Sequence, residues 1–352
     1  MELTPLWYPL QPSRVSSSLP VFSADLFPPA WLGYTRLRQV GLRVQTDRPV
    51  VAKVFRHNKG GASECILEQV CSQEQTVLAL PSLSECGDRL SYILHDGRQG
   101  ISSKDPFVFA DWMCTRAPER CVGIAVVVCT RDRDLQLQAL VDQFAPQIDD
   151  VECCIIINQG RDALQERLVL ENLDGKYRIF EQSNLGGAGG FTRGIIESLK
   201  NQNVTHIILM DDDVEIDAGL FGRLRSALAY VSPQICLGGA MIDLDHRDRL
   251  LSIGHGFDPV QGMTIDFLPR KAASMEEMET RSLLEKPLDV DFCGWWCFCF
   301  PRQAVEVCGL PLPLFLRGDD AEYGLRLKHA GFSTVMWPGI HVAHPHLGNR
   351  TR

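Results

Sequence analysis

The pattern of apolar and polar positions changes near residue 118. Ahead of this point, short segments alternate apolar and polar residues and are separated by turn-forming groups such as Asp47–Pro49 and Asn58–Gly61. The predicted strands are Leu37–Val44, Val50–Val54, Glu64–Val70, Gln75–Leu80 and Arg89–Leu94. Short strands at this spacing are typical of a β-sandwich or a small barrel, so residues 1–117 are predicted to form an N-terminal β-sandwich or jelly-roll-like domain.

Beyond residue 118, apolar runs alternate with amphipathic segments of helical period. The predicted strands are Val122–Cys129, Val151–Ile157, Tyr177–Glu181, His206–Met210 and Gln234–Ala240, and the predicted helices are Leu135–Phe144, Ala163–Leu170, Phe191–Lys200 and Ala218–Tyr230. This alternation predicts an α/β domain over residues 118–352, with a mostly parallel sheet covered by helices on both faces. Residues 269–288 are polar and are predicted to be an irregular, mobile flap.

Composition excludes some classes of protein. The net charge of −9 argues against a general nucleic-acid binder, because contacts to phosphates need clustered Lys and Arg. No stretch reaches about 18 apolar residues, the length of a membrane span. The N-terminus lacks the basic start and apolar core of a signal peptide, so the 13 cysteines are interpreted as reduced thiols of a cytosolic protein.

Three carboxylates, Asp211, Asp212 and Asp213, follow directly on the apolar run Thr205–Met210. Such a run fits a buried strand, and the ends of strands in open α/β sheets are where ligands bind. Because side chains alternate along an extended segment, Asp211 and Asp213 are expected to point to the same side. Two hard oxygen ligands suit Mg²⁺ or Mn²⁺. The alternative is an acidic turn with Asp217 capping the next helix.

Two further segments are candidates for nucleotide binding. Thr130 and Arg131 end a predicted strand, where they could hold a base and a phosphate, although a helix cap with solvated charges is an equal alternative. Four glycines lie between Asn184 and Phe191, and they allow a phosphate or a sugar to approach the backbone ahead of a helix. The glycines expected to contact the ligand are Gly187, Gly189 and Gly190. A tight turn needed only for packing is the alternative.

The last candidates are aromatic, acidic and histidine side chains. Trp295 and Trp296 could stack on a sugar ring, although core packing is the more frequent role of such a pair. Asp319 and Asp320 precede an amphipathic helix, Asp319 in a position that resembles an N-cap, and one of them could act as a general base. One imidazole could complete a metal site, and the candidates are His341, His344 and His346.

The order of these motifs is more specific than any one of them. Thr-Arg is followed by Asn-Leu-Gly-Gly-Ala-Gly-Gly-Phe, Asp-Asp-Asp, Gly-Trp-Trp, Asp-Asp-Ala-Glu-Tyr-Gly-Leu-Arg, and then Pro-Gly and His. Over roughly residues 120–349 this order resembles family 2 glycosyltransferases, specifically the polymerising galactofuranosyltransferases of mycobacterial arabinogalactan synthesis. The resemblance implies a GT-A fold, a Rossmann-like mixed sheet with helices on both faces, preceded by a β-sandwich domain.

The resemblance also implies roles for particular residues. Asp320 corresponds to the general base and Asp319 to an acceptor ligand, while Arg131 occupies the place of the nucleotide-pocket arginine. Asn158 stands where the family often has an acidic residue that recognises the base. Trp295 and Trp296 correspond to a pair that lines the acceptor and donor site. The implied ligands of a Mn²⁺ or Mg²⁺ ion that bridges the UDP diphosphate are Asp211, Asp213 and His344, with Asp212 beside the donor.

The implied activity is an inverting, metal-dependent transfer of galactofuranose from UDP-galactofuranose onto a cell-surface glycan or a polyprenyl-linked glycolipid. Three alternatives stay open: UDP-galactopyranose or dTDP-rhamnose as the donor, a metal-dependent nucleotidyltransferase or phosphoesterase, and a non-catalytic sugar-binding protein. The expected location is the cytoplasm, at the inner face of the cytoplasmic membrane, with peripheral membrane association and a homo-oligomer as open expectations. The chain ends eight residues after His344, whereas the relatives continue into a helical region, so we expect a shorter relative or part of a longer protein.

Overall fold

The computed structural model describes residues 8–12, 25–58, 61–72, 74–96, 99–100, 108–164, 168, 175–268 and 272–345. The chain divides into two compact units. One comprises Met1–Cys121, Asp217–Ser232 and Glu285–Pro287, and the other comprises Val122–Ile216, Pro233–Leu284 and Leu288–Arg352. None of the described helices is both long enough and apolar enough to span a membrane.

The first part of the chain is mostly β-structure. In chain order its strands are β1 (Tyr8–Pro12), β2 (Gln39–Gln45), β3 (Val50–His57), β4 (Ser63–Cys71), β5 (Gln75–Ser82), β6 (Arg89–Asp96), β7 (Gln99–Gly100) and β8 (Phe109–Cys114), with helix α1 (Pro28–Tyr34) between β1 and β2. They form two antiparallel four-stranded sheets, ordered β1-β8-β2-β5 and β4-β3-β6-β7. Tyr92 of one sheet packs edge-on against Trp112 of the other, with ring centroids 5.8 Å apart. The predicted strands are confirmed.

The remaining strands are β9 (Ile124–Thr130), β10 (Cys153–Asn158), β11 (Tyr177–Glu181), β12 (His206–Asp211), β13 (Ile235–Asp243), β14 (Arg249–Ser252), β15 (His255–Asp258), β16 (Met263–Asp266), β17 (Ala273–Ser274), β18 (Leu288–Val290), β19 (Phe298–Pro301) and β20 (Ser333–His344). The helices are α2 (Asp134–Phe144), α3 (Gly186–Leu199), α4 (Leu220–Tyr230), α5 (Met278–Leu284), α6 (Arg302–Cys308) and α7 (Asp319–His329). Helix α4 belongs to the first unit.

A ten-stranded mixed sheet organises the second unit. Strands β11, β10, β9 and β12 run parallel in that order, and β19 lies antiparallel between β12 and β13. Strand β20 runs parallel to β13, so both strands end at the same edge, with Asp243 beside His344. Strands β9, β10 and β12 are apolar and almost entirely buried, as expected for strands covered on both faces. The predicted α/β fold with a mixed sheet is therefore confirmed.

Two details differ from the sequence-based predictions. Helix α3 begins at Gly186 instead of Phe191, so the glycine-rich segment forms the first turns of the helix. The irregular conformation predicted for residues 272–288 is wrong, because this segment contains the short strand β17 and helix α5. Its mobility stays a prediction. The predicted helix Ala163–Leu170 falls largely on residues outside those described, as does the start of the flap.

Candidate functional site

The acidic turn after β12 and the end of β20 bring three potential metal ligands together. The side-chain ligand atoms of Asp211, Asp213 and His344 all lie within 4.8 Å of one another. His344 Nε2 is 3.3 Å from Asp211 Oδ2 and 3.2 Å from Asp213 Oδ1. Glu215 and Ala343 exchange two backbone hydrogen bonds of 2.7 and 2.8 Å, which attach the turn to β20 and so position His344 against the carboxylates.

The imidazole of His344 is oriented by its other nitrogen. Its Nδ1 lies 2.6 Å from the carbonyl oxygen of Pro345, so an Nδ1–H donor leaves Nε2 facing the carboxylates. Burial lowers the pKa of His344, but the hydrogen bonds and charges of Asp211 and Asp213 outweigh it and raise the pKa to about 9. Two carboxylates with an imidazole held by a backbone carbonyl are a donor set that fits Mn²⁺ or Mg²⁺.

Asp212 is engaged differently from its two neighbours. It is buried, its Oδ2 accepts a 2.7 Å hydrogen bond from Thr130 Oγ1, and its Oδ1 accepts one of 3.0 Å from Arg133. The same Arg133 nitrogen lies 2.6 Å from Asp213 Oδ2. Burial raises the pKa of Asp212 to about 6 despite the charge of Arg133. Sequence reasoning did not single out Arg133; its place just ahead of α2, two residues after Arg131, is the only signal for it.

A cavity of about 310 Å³ lies beside the acidic turn. Its lining residues are Cys129, Thr130, Arg131, Arg133, Gln159, Asn184, Gly186, Gly187, Asp212, Phe315 and Leu316. They come from the ends of β9, β10 and β12, the start of α3 and the loop ahead of α7. Five of the predicted nucleotide-binding residues are in this lining, and they are Thr130, Arg131, Asn184, Gly187 and Asp212.

The glycines of α3 serve two different purposes. A Cβ at Gly190 would lie 2.1 Å from Cys129 Sγ, and one at Gly194 would lie 2.1 Å from Val127 Cγ1, so these glycines let α3 pack directly on β9. Gly186 has φ +74°, and the carbonyl of Phe315 occupies the space that a Cβ would take. Gly190 is therefore required for helix–sheet packing, as the alternative interpretation of the segment states. Gly187 lines the cavity, as the ligand-binding interpretation requires.

Asn158, predicted to lie at the nucleotide site, does not line the cavity, whereas the next residue, Gln159, does. Asn158 is 1% exposed, donates to Glu181 Oε2 at 2.7 Å and accepts from Gly160 N, and it is not among the cavity-lining residues. Gln159 does line the cavity: its Oε1 accepts from Leu185 N at 2.7 Å and its Nε2 donates to Gly186 O at 2.9 Å. Gln159 thus fixes the start of α3 at the cavity wall.

The two adjacent tryptophans have different environments. Trp295 is 5% exposed and lies edge-on between Phe191 of α3, at 5.3 Å, and Tyr323 of α7, at 6.5 Å. Its indole Nε1 is buried and has no hydrogen-bond partner among the described residues. Trp296 is half-buried, and its Nε1 donates to Gly239 O at 2.9 Å. Neither tryptophan lines the cavity, and Trp295 connects α3 to α7.

The second acidic cluster begins α7. Gly318, with φ +81°, takes the cap position, so Asp319 is the first helical residue and its predicted N-cap role is wrong. Asp320 Oδ1 lies 2.8 Å from Ala321 N. Burial is the main cause that raises the pKa of both carboxyls, and the charge of Asp211 raises them further. A Cβ on Gly187 would lie 3.4 Å from Asp319 Oδ2, so this cluster and the first turn of α3 are neighbours.

Two of the three candidate histidine ligands lie within the described residues. His341 is buried on β20, and His344 is the histidine that joins the two carboxylates. His346 lies outside the described residues. Helix α7 carries an i,i+4 ion pair, since Arg326 Nε donates to Glu322 Oε1 at 2.7 Å.

A mixed α/β sheet with an Asp-x-Asp turn at its edge and a cavity beside it defines a GT-A-type fold. The crystal structure of GalNAc-T7 with UDP, GalNAc and Mn²⁺ has the same fold, with a TM-score of 0.50 and 16% sequence identity over 66% of this chain and 45% of that one. The pattern of glycosyltransferase-like family 2 matches residues 121–347, and the chain belongs to this family.

Curated relatives of the chain are galactofuranosyltransferases. It is 35% identical to GlfT2 of Mycolicibacterium smegmatis over 245 residues, which are 65% of this chain and 38% of the relative. It is 29% identical to GlfT2 of Mycobacterium tuberculosis over 338 residues, 89% of this chain and 52% of the relative. It is also 30% identical to GlfT1 of M. smegmatis over 217 residues. The chain thus spans about half or less of the two GlfT2 relatives.

Proposed function

We propose that the chain is an inverting, metal-dependent glycosyltransferase that moves galactofuranose from UDP-galactofuranose onto a glycan or a lipid-linked glycan. The observation that carries the proposal is the meeting of Asp211, Asp213 and His344 beside a cavity, with Asp319 and Asp320 facing the same region. The similarity to GlfT2 and GlfT1 supports the choice of sugar.

The donor nucleotide would occupy the cavity. Thr130, Arg131, Gln159 and Asn184 present hydroxyl, guanidinium and amide groups to it, which suits a base and a ribose. The start of α3 directs backbone N–H groups from Gly187 onwards toward a diphosphate, because the first N–H groups of a helix have no partner within it. Asp211, Asp213 and His344 would hold Mn²⁺ or Mg²⁺, which offsets the charge that develops on departing UDP.

Asp320 would remove the proton from the attacking acceptor hydroxyl. It is half-buried at the start of α7, and burial raises its pKa, which makes the carboxylate a stronger base than one in water. Asp319 would bind an acceptor hydroxyl nearby. Inversion needs no covalent enzyme intermediate, so a single basic carboxylate suffices. Trp295 and Trp296 would bound the space that the acceptor sugar enters, and we propose that the acceptor reaches it from the inner face of the cytoplasmic membrane.

A nucleotidyltransferase or phosphoesterase with two metal ions is less well supported. Such enzymes hold two ions about 3.5–4 Å apart. Within the described ranges, Asp211, Asp213 and His344 are the single group that brings three His, Cys, Asp or Glu ligands together. Asp319 and Asp320 lack a third partner of this kind.

A panel of donors tests the proposal. The full chain is incubated with Mn²⁺, an acceptor glycan and UDP-galactofuranose, UDP-galactopyranose or dTDP-rhamnose, and free nucleotide is measured. We expect acceptor-dependent release of UDP from UDP-galactofuranose. Release from another donor alone corrects the sugar but keeps the reaction class. Acceptor-independent cleavage of all three donors contradicts glycosyl transfer and supports a phosphoesterase.

A further inference from the structure

Arg133 joins two of the three carboxylates in the acidic turn. A single guanidinium nitrogen, Nη1, lies 3.0 Å from Asp212 Oδ1 and 2.6 Å from Asp213 Oδ2. Both carboxylates are 6% exposed, whereas the arginine side chain is 35% exposed and reaches the cavity. Two neighbouring buried anions therefore share one cation that belongs to the protein itself.

The hydrogen bonds of the turn divide the carboxylate oxygens between two tasks. Asp212 uses Oδ1 for Arg133 and Oδ2 for Thr130, so both of its oxygens are committed to the protein. Asp213 gives Oδ2 to Arg133 and turns Oδ1 toward His344 Nε2. Arg133 thus holds the rotation of both carboxylates and leaves Asp213 Oδ1 facing the candidate metal position.

The charge of Arg133 acts in two opposite directions. Burying adjacent carboxylates is costly unless a cation compensates. In the absence of metal Arg133 supplies such a cation to both Asp212 and Asp213, while His344 lies beside Asp213 and Asp211. Burial lowers the pKa of the Arg133 guanidinium, but the charges and hydrogen bonds of Asp212 and Asp213 outweigh it and raise that already high pKa, so the group stays charged. The same positive charge repels a divalent ion that approaches Oδ1 of Asp213, the oxygen that Arg133 does not contact. A bound diphosphate would add the negative charge needed to offset this repulsion.

We propose that Arg133 is the resident counter-ion of the metal site. It keeps the carboxylates of the acidic turn oriented while no metal is bound, and it keeps the affinity for a bare divalent ion low until the nucleotide diphosphate binds. The proposal rests on the proposed function, since it concerns the same site. Arg133 is a positioning residue here: it acts on the ion through Asp213 and through its charge.

The experiment measures Mn²⁺ binding to the full chain at constant pH and ionic strength, from the electron paramagnetic resonance signal of free Mn²⁺, with and without UDP. Wild type is compared with Arg133→Met and Arg133→Lys. Arg178→Gln is the matched control, because Arg178 is exposed on β11 and lies outside the cavity lining. Thermal unfolding of each protein with and without Mn²⁺ gives a second readout that does not depend on activity.

For Arg133→Met we expect Mn²⁺ alone to bind about tenfold more tightly, and UDP to improve Mn²⁺ binding less than it does in wild type. The Tm of the metal-free variant should fall, and Mn²⁺ should restore most of the loss. Arg133→Lys, which keeps the charge, should stay close to wild type, and so should Arg178→Gln. If Arg133→Met does not fold, Arg133→Gln provides the neutral variant, because its amide still donates to one carboxylate.

Two results overturn the proposal while the metal site stands: unchanged or weaker Mn²⁺ binding in the neutral variant, and a loss of Tm that Mn²⁺ does not reduce. Failure of the proposed function looks different. In that case wild type binds no Mn²⁺ with or without UDP, or it binds Mn²⁺ equally well after Asp211→Ala, and both proposals fail together.

Discussion

Two acidic clusters lie in the second unit, and they are stabilised in opposite ways. The cluster after β12 is surrounded by cationic and hydroxyl groups, namely Arg133, His344 and Thr130. The cluster at the start of α7 forms no ion pair within the described ranges, and Asp320 is held by the backbone N–H of Ala321. Burial raises the pKa of both Asp319 and Asp320.

This difference separates two kinds of chemistry. Carboxylates whose oxygens are already oriented by Arg133 and His344 can bind a cation without rearranging. A carboxylate that is partly desolvated and forms no direct ion pair binds a proton more readily, which is what a general base requires. In the proposed function, the same residue type would therefore serve as metal ligand after β12 and as base at α7.

The largest expected effect is the loss of a metal ligand. Asp211→Ala should reduce transfer by about 10⁴-fold, because the ion contributes on the order of 5 kcal/mol to stabilising the leaving diphosphate. UDP should bind more weakly only when Mn²⁺ is present. The measurements are the rate of transfer and UDP affinity with Mn²⁺ or EDTA. Asp142→Ala, which changes an exposed carboxylate on α2, is the control.

Full activity in excess EDTA would contradict this prediction and would remove the distinction between the two clusters. Loss of UDP binding in EDTA as well as in Mn²⁺ would indicate that Asp211→Ala damages the cavity instead of the metal site.

The second prediction concerns the base. Asp320→Asn keeps the shape of the side chain and removes its basicity, so kcat should fall by about 10²–10⁴-fold. Affinity for UDP with Mn²⁺ should change by less than about threefold, roughly 0.7 kcal/mol, because this carboxylate is not a predicted metal ligand. Asp319→Asn is the matched control and should mainly raise KM for the acceptor. A dead Asp319→Asn beside an active Asp320→Asn would reverse the two roles.

For the cluster after β12, the local sequence pattern predicts the carboxylates Asp211 and Asp213 but not the histidine that joins them. An apolar run ending in carboxylates indicates the strand and its edge, and the period of two indicates which carboxylates share a side. His344 lies far along the chain and reaches them because β20 runs parallel to β13. No local pattern specifies that strand pairing, and His344 was predicted as a ligand only from the resemblance to a family.

The neighbours of the motifs were harder to predict than the motifs themselves. Arg131 and Arg133 are equally plausible from the sequence, and only the turn, with φ +53° at Asp132, brings Arg133 to Asp213. Asn158 and Gln159 differ by one position at the end of β10, where one side chain turns inward and the next lines the cavity. Such choices depend on side-chain direction at strand ends, which composition does not encode.

The glycine-rich segment shows a different limit of prediction. High glycine content disfavours helix, so a loop was expected, yet α3 starts at Gly186. Close packing outweighs propensity here, since a side chain at Gly190 would collide with Cys129 on β9. Strand β19 was not predicted for a different reason, because a strand of four residues is too short to show an alternating pattern.

The third prediction tests whether the two clusters are mechanically linked. Trp295 packs against Phe191 and Tyr323, so Trp295→Ala should lower the free energy of unfolding by about 3–5 kcal/mol and reduce transfer in the protein that remains folded. Trp296→Ala should cost less stability, because Trp296 is half-buried and makes one hydrogen bond to Gly239. Urea unfolding and KM for the acceptor measure the two effects.

An acceptor KM that stays normal in both folded variants would leave the tryptophans as packing residues only. A raised KM in Trp296→Ala with little loss of stability would place the acceptor sugar beside that ring.

The smallest expected effect is on pH dependence. The base must be ionised, and its pKa is raised chiefly by burial, so kcat/KM should decline as pH falls through that raised pKa, earlier than for an exposed aspartate. His255 faces Asp320 from β15; its ring stacks on Phe292 at 5.1 Å, and its positive form lowers the pKa of Asp320. Burial lowers the pKa of His255 below its usual value, although Asp266, which lies opposite on the same hairpin, and Asp320 act to raise it.

His255→Phe should therefore move the acid limb of the kcat/KM profile to higher pH, because it removes the positive charge that lowers the pKa of Asp320. His329→Phe is the control, since His329 is exposed at the end of α7 and bonds only to the carbonyl of Leu325. Mn²⁺ affinity, measured at each pH, separates titration of the base from that of His344. Two outcomes would assign the pH dependence to the metal cluster instead. The acid limb would stay in place in His255→Phe, or it would disappear in Asp211→Ala and persist in Asp320→Asn.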